Sequence, residues 1–311
     1  MQDIIKEIIA RKLGKVLINE KISNYTTYKV GGKVRAIVYP KTENELCELI
    51  KFLKMKQVKY FVLGNGSNVL FSDNLYDGII IKLDYFNTIE FQDNIVKVGA
   101  GVSLMKLSRE TVKRGFSGLE FADGIPATIG GAIFMNAGSY GSDMSKVVVD
   151  VTIVDGNGEI TTLTNKEMTF SYRTTYLQKH LDCVCIGARL KLREANQEEL
   201  TELVLERRNK RKLSQPLQYP SAGSVFRNPK DMYAGEIIEK MGLKGFSVGK
   251  AENSEKHANF IINKGNAKAS DIKRIIDYIK EKAKSKYNIR LRVEQRLINW
   301  DENEEEKKGK N

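Results

Sequence analysis

Apolar residues recur along this chain with two periods, one helical and one alternating. Near the N-terminus Ile4, Ile5, Ile8 and Ile9 follow helical spacing with charges between them, which predicts a short amphipathic helix. Residues 42–55 predict a second helix. Thr42 is its cap, Glu45 completes a capping box, and Leu46, Leu49, Ile50 and Leu53 supply the apolar stripe. A β-rich run at 58–63 enters the glycine-rich loop GNGSN, and short strands are expected at 78–83 and 95–98. Residues 103–114 predict a helix capped by Ser103. Residues 147–154 and 159–163 form a hairpin through the turn DGNG. Thr164 and Glu167 have the spacing of a further capping box, and 183–192 reads as a long strand.

The texture changes near residue 195. A charged helix at 196–212, capped by Asn196, precedes the loop LSQPLQYPSAGSVFRNP. A helix at 235–241, a strand at 259–262, a helix at 270–287 and a strand at 289–300 follow, and no internal repeat is evident. The expected division is 1–195, with parts at 1–57 and 58–195, then an α+β domain at 196–300. The almost wholly charged tail 301–311 is expected to be disordered.

Composition sharpens this picture in a few places. The chain has 311 residues, enough for two or three domains at roughly 100–200 residues each. No stretch approaches the roughly 20 apolar residues of a membrane span, and the N-terminus does not have the form of a signal peptide. A cytoplasmic protein without a membrane partner is therefore expected. Cys183 and Cys185 form C-x-C, but with Cys47 they complete no metal-ligand set, and no metal is expected. Buried strand thiols in a reducing compartment suit them better. The net charge is +12, densest in the run RRNKRK at 207–212. It fits a solvated helix end, a positive rim that draws in an anionic small molecule, or a nucleic-acid surface.

Two glycine-rich segments are candidates for phosphate chemistry, because bound phosphates need converging backbone N–H groups and close approach of the main chain. The first is Gly64, Asn65, Gly66, Ser67 and Asn68. It matches neither a Walker A loop nor G-x-G-x-x-G, and by itself it equally fits a tight turn. The second runs through Gly124, Ile125, Pro126, Thr128, Gly130, Gly131, Asn136, Ala137 and Gly138. It also fits a close-packed helix start at Thr128 or Pro126.

The motifs YTTYKVGG, LGNGSNVL, GIPATIGGAIFMNAGSYG, SYR, PSAGSVFRNP and EQRLI occur in that order between Tyr25 and Trp300. In sequence and order they resemble the UDP-N-acetylenolpyruvoylglucosamine reductase (MurB) family. The resemblance implies a two-part FAD-binding module of the vanillyl-alcohol-oxidase (PCMH) type, plus a C-terminal α+β substrate-binding domain. It implies non-covalent FAD, NADPH as reductant and UDP-N-acetylglucosamine enolpyruvate as substrate, in a protein of peptidoglycan precursor synthesis. The loop at Gly64–Asn68 would hold the FAD pyrophosphate, and the segment Gly124–Gly138 would line the isoalloxazine.

The same resemblance assigns roles to single residues. Arg173 pairs with the substrate carboxylate and steadies an enolate, since a guanidinium offers a planar fork to such oxygens. Ser224 matches the proton donor, a poor acid that must gain from position. Glu294 matches a third catalytic residue that shares the enolate load. Asn228 and Arg296 match substrate contacts, and Lys212 and His257 are further candidates. Bland alternatives exist: Arg173 as a surface ion-pair residue, Ser224 as a turn hydroxyl, Glu294 as a cross-strand partner of arginines, and His257 as a structural histidine.

Two departures stand out. Ser214 occupies the place of a lysine found in many relatives, with Lys212 two residues earlier, and Asn299 stands where relatives usually have glycine. The short spacing after Arg173 resembles the subclass without an extra tyrosine loop. A monomer is favoured. An oxidase with histidine-linked FAD fits poorly, because His180 and His257 lie outside both glycine-rich segments. A nucleic-acid-binding protein would leave those segments unexplained. A degenerate flavoprotein would not need Arg173, Ser224 and Glu294 intact.

Overall fold

The chain divides into two units, and the computed structural model describes residues 1–300. The first unit comprises residues 1–20, 35–65 and 77–213, and the second 21–34, 66–76 and the chain from 214. The charged tail at 301–311 lies outside the described residues.

The first unit carries six helices: α1 (Gln2–Ala10), α2 (Glu43–Met55), α3 (Leu104–Lys113), α4 (Ile129–Phe134), α5 (Tyr176–Lys179) and α6 (Gln197–Ser214). Local chemistry sets their starts. The Thr42 hydroxyl accepts from the N–H of Glu45, while the Glu45 carboxylate returns to the N–H of Lys41. Ser103 caps α3 in the same way, and Asn196 Oδ1 accepts from the N–H groups of Glu198 and Glu199 at the start of α6. The stripe of α2 buries Leu46, Leu49, Ile50 and Leu53 completely. Each such side chain contributes about 2 kcal/mol of transfer free energy. In α1 the inward face is narrower than the sequence spacing implied: Ile5 and Ile8 are buried, but Ile9 is half-exposed.

Two sheets share this unit. One has four strands in the order Lys15–Ile18, Val34–Tyr39, Tyr76–Ile81 and Tyr60–Val62, and the last two strands are parallel. The other has five antiparallel strands in the order Ile160–Thr164, Val148–Val154, Val184–Lys191, Ile95–Gly99 and Ile89–Gln92. The DGNG hairpin is thus present. One apolar cluster runs from Ile5 to Leu192 and serves both sheets. The expected break at residue 57 therefore does not separate two cores, because 60–62 and 76–81 complete the sheet begun at 15–18. The expected break at 195 also moves. Helix α6 buries Leu200 and Val204 against Val112 of α3, so the first unit ends only after Leu213.

The second unit carries α7 (Ala234–Lys240), α8 (Ala269–Tyr287) and a three-stranded antiparallel sheet of Ser247–Val248, Ala251–Asn253 and Ile261–Asn263. Ile272, Ile275, Ile276 and Ile279 of α8 are fully buried and join a cluster with Tyr28, Leu70, Phe226 and Leu291. Asp73 accepts from the N–H groups of Ala269 and Ser270, and so satisfies the first donors of α8. The last strand is shorter than expected. Only Arg296–Ile298 is regular, pairing in parallel with Val69–Phe71. Asn299 follows at φ +63°, a left-handed conformation that glycine adopts freely and asparagine tolerates. Its amide donates to Ser72 Oγ and to the carbonyls of Asn74 and Leu75, which hold it in that conformation.

Two smaller expectations also change. Thr164 and Glu167 form the reciprocal bonds of a capping box, but these close a turn and no helix follows. Cys183 sits just before its strand, half-buried. Cys185 is buried inside the strand, where burial pushes its thiol up to about 12.

Candidate active site

The GNGSN loop leaves the strand Tyr60–Val62 and enters the strand Val69–Phe71. Gly66 has φ +65°, and a Cβ there would fall 2.5 Å from the Tyr25 carbonyl oxygen and 2.7 Å from Thr26 Cα. Only glycine fits such a place. Thr27 donates to the Gly66 carbonyl from both its N–H (3.1 Å) and its hydroxyl (3.2 Å). The YTTYKVGG motif therefore builds the loop. The Asn68 carbonyl is taken in turn by the Arg296 N–H at 2.9 Å. With these carbonyls turned onto the protein, the N–H groups of Gly66, Ser67 and Asn68 donate to no protein acceptor among the described residues. Successive free N–H groups form a concavity suited to an anion.

In the first unit Gly64 meets the second glycine-rich segment. A Cβ on Gly64 would lie 2.5 Å from Thr128 Oγ1, and Asn65 Nδ2 donates to the Pro126 carbonyl at 3.2 Å. Lys82 fixes the same point. Its buried ammonium donates to the Gly64 carbonyl at 3.0 Å and pairs with Asp84 at 3.2 Å. Lys82 was not legible as a site residue, because a lysine at the end of a β-rich run reads as solvent-facing.

The second segment contains the helix start that the sequence left as its bland alternative. Thr128 caps α4 by accepting from the Gly131 N–H at 3.3 Å, and the Gly130 N–H donates to the Ala100 carbonyl at 2.9 Å. The N–H groups of Gly130 and Gly131 are thus already used within the fold. Gly130 packs on Ala100, whose Cβ would be 3.0 Å from an added methyl. Asn136, buried at φ +41°, braces the protein rather than reaching outward. Its Oδ1 accepts from the Ser145 N–H and its Nδ2 donates to the Ser171 carbonyl, both at 3.0 Å. Gly138 pairs with Asp143 in a two-residue ladder. Pro126 is exposed, with Ile125 and Ala137 partly buried.

The basic run at the end of α6 is less free than a solvated helix end. Arg208 pairs with the buried carboxylate of Asp123, which Arg109 also contacts at 2.7 Å. Arg207 lies over the Tyr140 ring. The Arg211 side chain covers Gly124 so closely that a Cβ there would be 2.6 Å from its Cδ. Burial lowers the Arg211 pKa, although a guanidinium remains charged at neutral pH. Lys212 is exposed.

Arg173 lies in this unit, in a tight turn where Ser171 and Thr174 exchange two backbone bonds of 3.0 Å. Its φ is +54°, and its guanidinium donates to the Gly138 carbonyl at 2.8 Å and the Asn136 carbonyl at 3.4 Å. The guanidinium is thus turned onto the main chain at 136–138.

Ser224 and Glu294, far apart in sequence, are neighbours in the second unit. The Glu294 N–H donates to the Val225 carbonyl at 2.8 Å, and Phe226 bridges to Val293. Gln295 holds this pairing, donating to the carbonyls of Ala222 and Gly223 and accepting from the Tyr28 hydroxyl. Asn68 Nδ2 donates to the Glu294 carbonyl at 3.3 Å. Ser224 also bridges to Phe260, which brings in His257. His257 Nδ1 accepts from the Asn259 N–H at 3.2 Å, and burial pulls its pKa below the usual value. Asn228 is exposed, with Oδ1 accepting from the Ala234 N–H at the start of α7. Arg296 is partly buried, and burial lowers its pKa. The candidate residues thus divide between the units: Arg173 and Lys212 in the first, and Ser224, Asn228, His257, Glu294 and Arg296 in the second.

Comparison with known proteins places this geometry. Residues 34–164 match the FAD binding domain model. Residues 215–298 match the C-terminal domain model of UDP-N-acetylenolpyruvoylglucosamine reductase. The reductase of Bacillus subtilis is 42% identical over 299 residues, covering 96% of this chain and 99% of that protein. The chain belongs to the UDP-N-acetylenolpyruvoylglucosamine reductase family. Another member, from Caldanaerobacter subterraneus, is 40% identical over 95% of this chain and 97% of its own. The crystal structure of the Thermus caldophilus reductase aligns with TM-score 0.79 and 33% identity, over 91% of this chain and 98% of that one. The fold class follows: a vanillyl-alcohol-oxidase-type FAD-binding module with a C-terminal α+β domain.

Proposed function

We propose that this chain reduces UDP-N-acetylglucosamine enolpyruvate to UDP-N-acetylmuramate, with FAD as the bound carrier and NADPH as the reductant. The reading is carried by one observation: the reductase resemblance spans 96% of the chain and includes every motif that bears candidate chemistry. Support for FAD comes from the loop itself. The free N–H groups of Gly66, Ser67 and Asn68, with their neighbouring carbonyls turned away, suit a pyrophosphate. When bound, FAD supplies a two-electron relay between NADPH and the outer vinyl carbon of the substrate.

The protein's own residues then have separable tasks. Reduction at the vinyl carbon leaves negative charge on the carbon beside the carboxylate, and that charge spreads into the carboxylate. Arg173 pairs with those oxygens, a task for which a fixed cation is most effective where water is excluded. Ser224 donates the proton to the adjacent carbon, and Glu294 shares the enolate by hydrogen bonding. The backbone pairing of 225–226 with 293–294, next to Ser224, supports joint action of these two residues. Asn228, Arg296, His257 and Lys212 are assigned to the sugar nucleotide. Asn228 Oδ1 also accepts from the Ala234 N–H at the start of α7, which fixes the side chain.

The first unit serves as the FAD module, and residues 214–300 as the bulk of the substrate domain, without the extra tyrosine loop. Among the described residues no helix is long and apolar enough to cross a membrane, and the precursor chemistry fits the cytoplasm. The basic surface is read as steering for an anionic nucleotide, in a monomer.

An anaerobic visible spectrum tests the reading. The flavin band should bleach with NADPH and return with the enolpyruvyl substrate, and Ser224→Ala should bleach but not return. A band that bleaches and is never restored in the unaltered protein sinks the substrate assignment. Absence of any flavin binding sinks the whole reading.

A further inference from the structure

The Arg173 turn is held in an unfavourable shape. Ser171 and Thr174 close it with two 3.0 Å bonds, leaving Tyr172 and Arg173 as its central residues. At φ +54°, Arg173 occupies the position where such turns favour glycine. A side chain in that region persists only when its surroundings over-determine it.

Gln178 of α5 supplies that constraint. Its Nε2 donates to the Arg173 carbonyl at 3.0 Å and to the Phe134 carbonyl, at the end of α4, at 2.8 Å. Asn136 fixes the other side of the turn through the Ser171 carbonyl at 3.0 Å. The main chain of Arg173 is thereby clamped between α4 and α5. Its guanidinium lies along the Gly138 carbonyl at 2.8 Å. The Phe134 carbonyl has a second donor, the Thr175 hydroxyl at 2.9 Å, so the end of α4 stays satisfied without Gln178. Gln178 also ties the Arg173 carbonyl directly to α5.

Given the reaction proposed above, on which this inference rests, we infer that Gln178 is a positioning residue for catalysis: it aims Arg173 at the substrate carboxylate by locking the turn's backbone. Binding of oxidised enzyme to substrate uses many contacts, whereas enolate stabilisation falls to Arg173 and Glu294 alone and is sensitive to the aim of the guanidinium. Loss of the clamp therefore falls on the second half-reaction.

The test is stopped-flow kinetics on the FAD-loaded enzyme with Gln178→Leu, which removes the donor, and Gln178→Glu, which sets a carboxylate against two carbonyls. Bleaching by NADPH should stay within about twofold, while the return with the enolpyruvyl substrate slows on the order of 10- to 100-fold, the scale of a small misplacement. Substrate affinity of the oxidised enzyme, measured by calorimetry, should change by less than about threefold, since that binding is distributed. In an Arg173→Ala background, Gln178→Leu should cause no further loss, because its effect passes through Arg173. Equal slowing of both half-reactions, or full additivity with Arg173→Ala, overturns the positioning role. An unaltered enzyme whose flavin the enolpyruvyl substrate never restores instead overturns the reading of function, before any Gln178 variant is compared.

Discussion

At Gly66 an added methyl group would strike main chain, the Tyr25 oxygen at 2.5 Å and Thr26 Cα at 2.7 Å, and the backbone sits at φ +65°. At Gly131, inside α4, the same methyl would meet only the Thr128 hydroxyl, at 3.3 Å. Both residues lie in glycine-rich stretches that look alike as sequence. The first is fixed by the fold. The second faces one capping hydroxyl, which would have to give by a few tenths of an ångström. Gly64 stands between these cases, because its obstacle is a side-chain oxygen that can be removed.

Gly66→Ala gives the largest effect. Left-handed strain plus an immovable backbone obstacle should cost about 3–4 kcal/mol, read as a lowered denaturant midpoint with loss of FAD binding. Retention of wild-type stability would break the comparison. Gly64→Ala should cost about 2 kcal/mol. Much of that loss should disappear in a Thr128→Ala background, with a coupling energy of about 1 kcal/mol in a double-mutant cycle. Additive losses would show that the obstacle is not the hydroxyl.

Lys82→Met removes the ammonium that holds the Gly64 carbonyl and should cost about 1–2 kcal/mol. FAD affinity, measured by recovery of flavin fluorescence on dilution, should fall more than stability does, because the loop loosens at the phosphate end. Gly131→Ala is the smallest change and has the opposite sign for stability. Replacing a helical glycine should stabilise by up to about 1 kcal/mol, while FAD binds more weakly because a methyl group enters the cofactor's path. A variant more stable and equally tight for FAD would remove Gly131 from the cofactor site.

The legible parts of this protein are those whose signal is local. Thr42, Ser103 and Asn196 cap helices because a short oxygen-bearing side chain sits just before an apolar or charged helical run. The DGNG turn joins its hairpin because the flanking runs alternate. The Thr164–Glu167 pair misled for the same reason. Its reciprocal bonds form as the spacing predicts, but no apolar stripe follows to extend them into a helix. Cys183 and Cys185 were read alike as buried strand thiols, but only Cys185 is enclosed by its strand.

The candidate site was legible mainly through motif resemblance. Composition and spacing left Arg173, Ser224 and Glu294 as ordinary turn or strand residues. Helpers such as Lys82, Gln178 and Asp123 carried no signal at all. Lys82 and Asp123 act through bonds to partners distant in the chain, Gly64 and Arg208, and Gln178 joins the nearby Arg173 carbonyl to that of Phe134.

By itself the sequence determined the helices, the hairpin, the order of the motifs and the family, since these depend on neighbours within a few turns of chain or on residue identity alone. Only the tertiary structure decided that residues 21–34 and 66–76 belong with the C-terminal half, and that α6 belongs with the first unit. It alone paired the segment holding Ser224 with the one holding Glu294, and bound the turn of Arg173 to α4 and α5. Those outcomes rest on backbone pairing and packing between distant segments, which no local periodicity encodes.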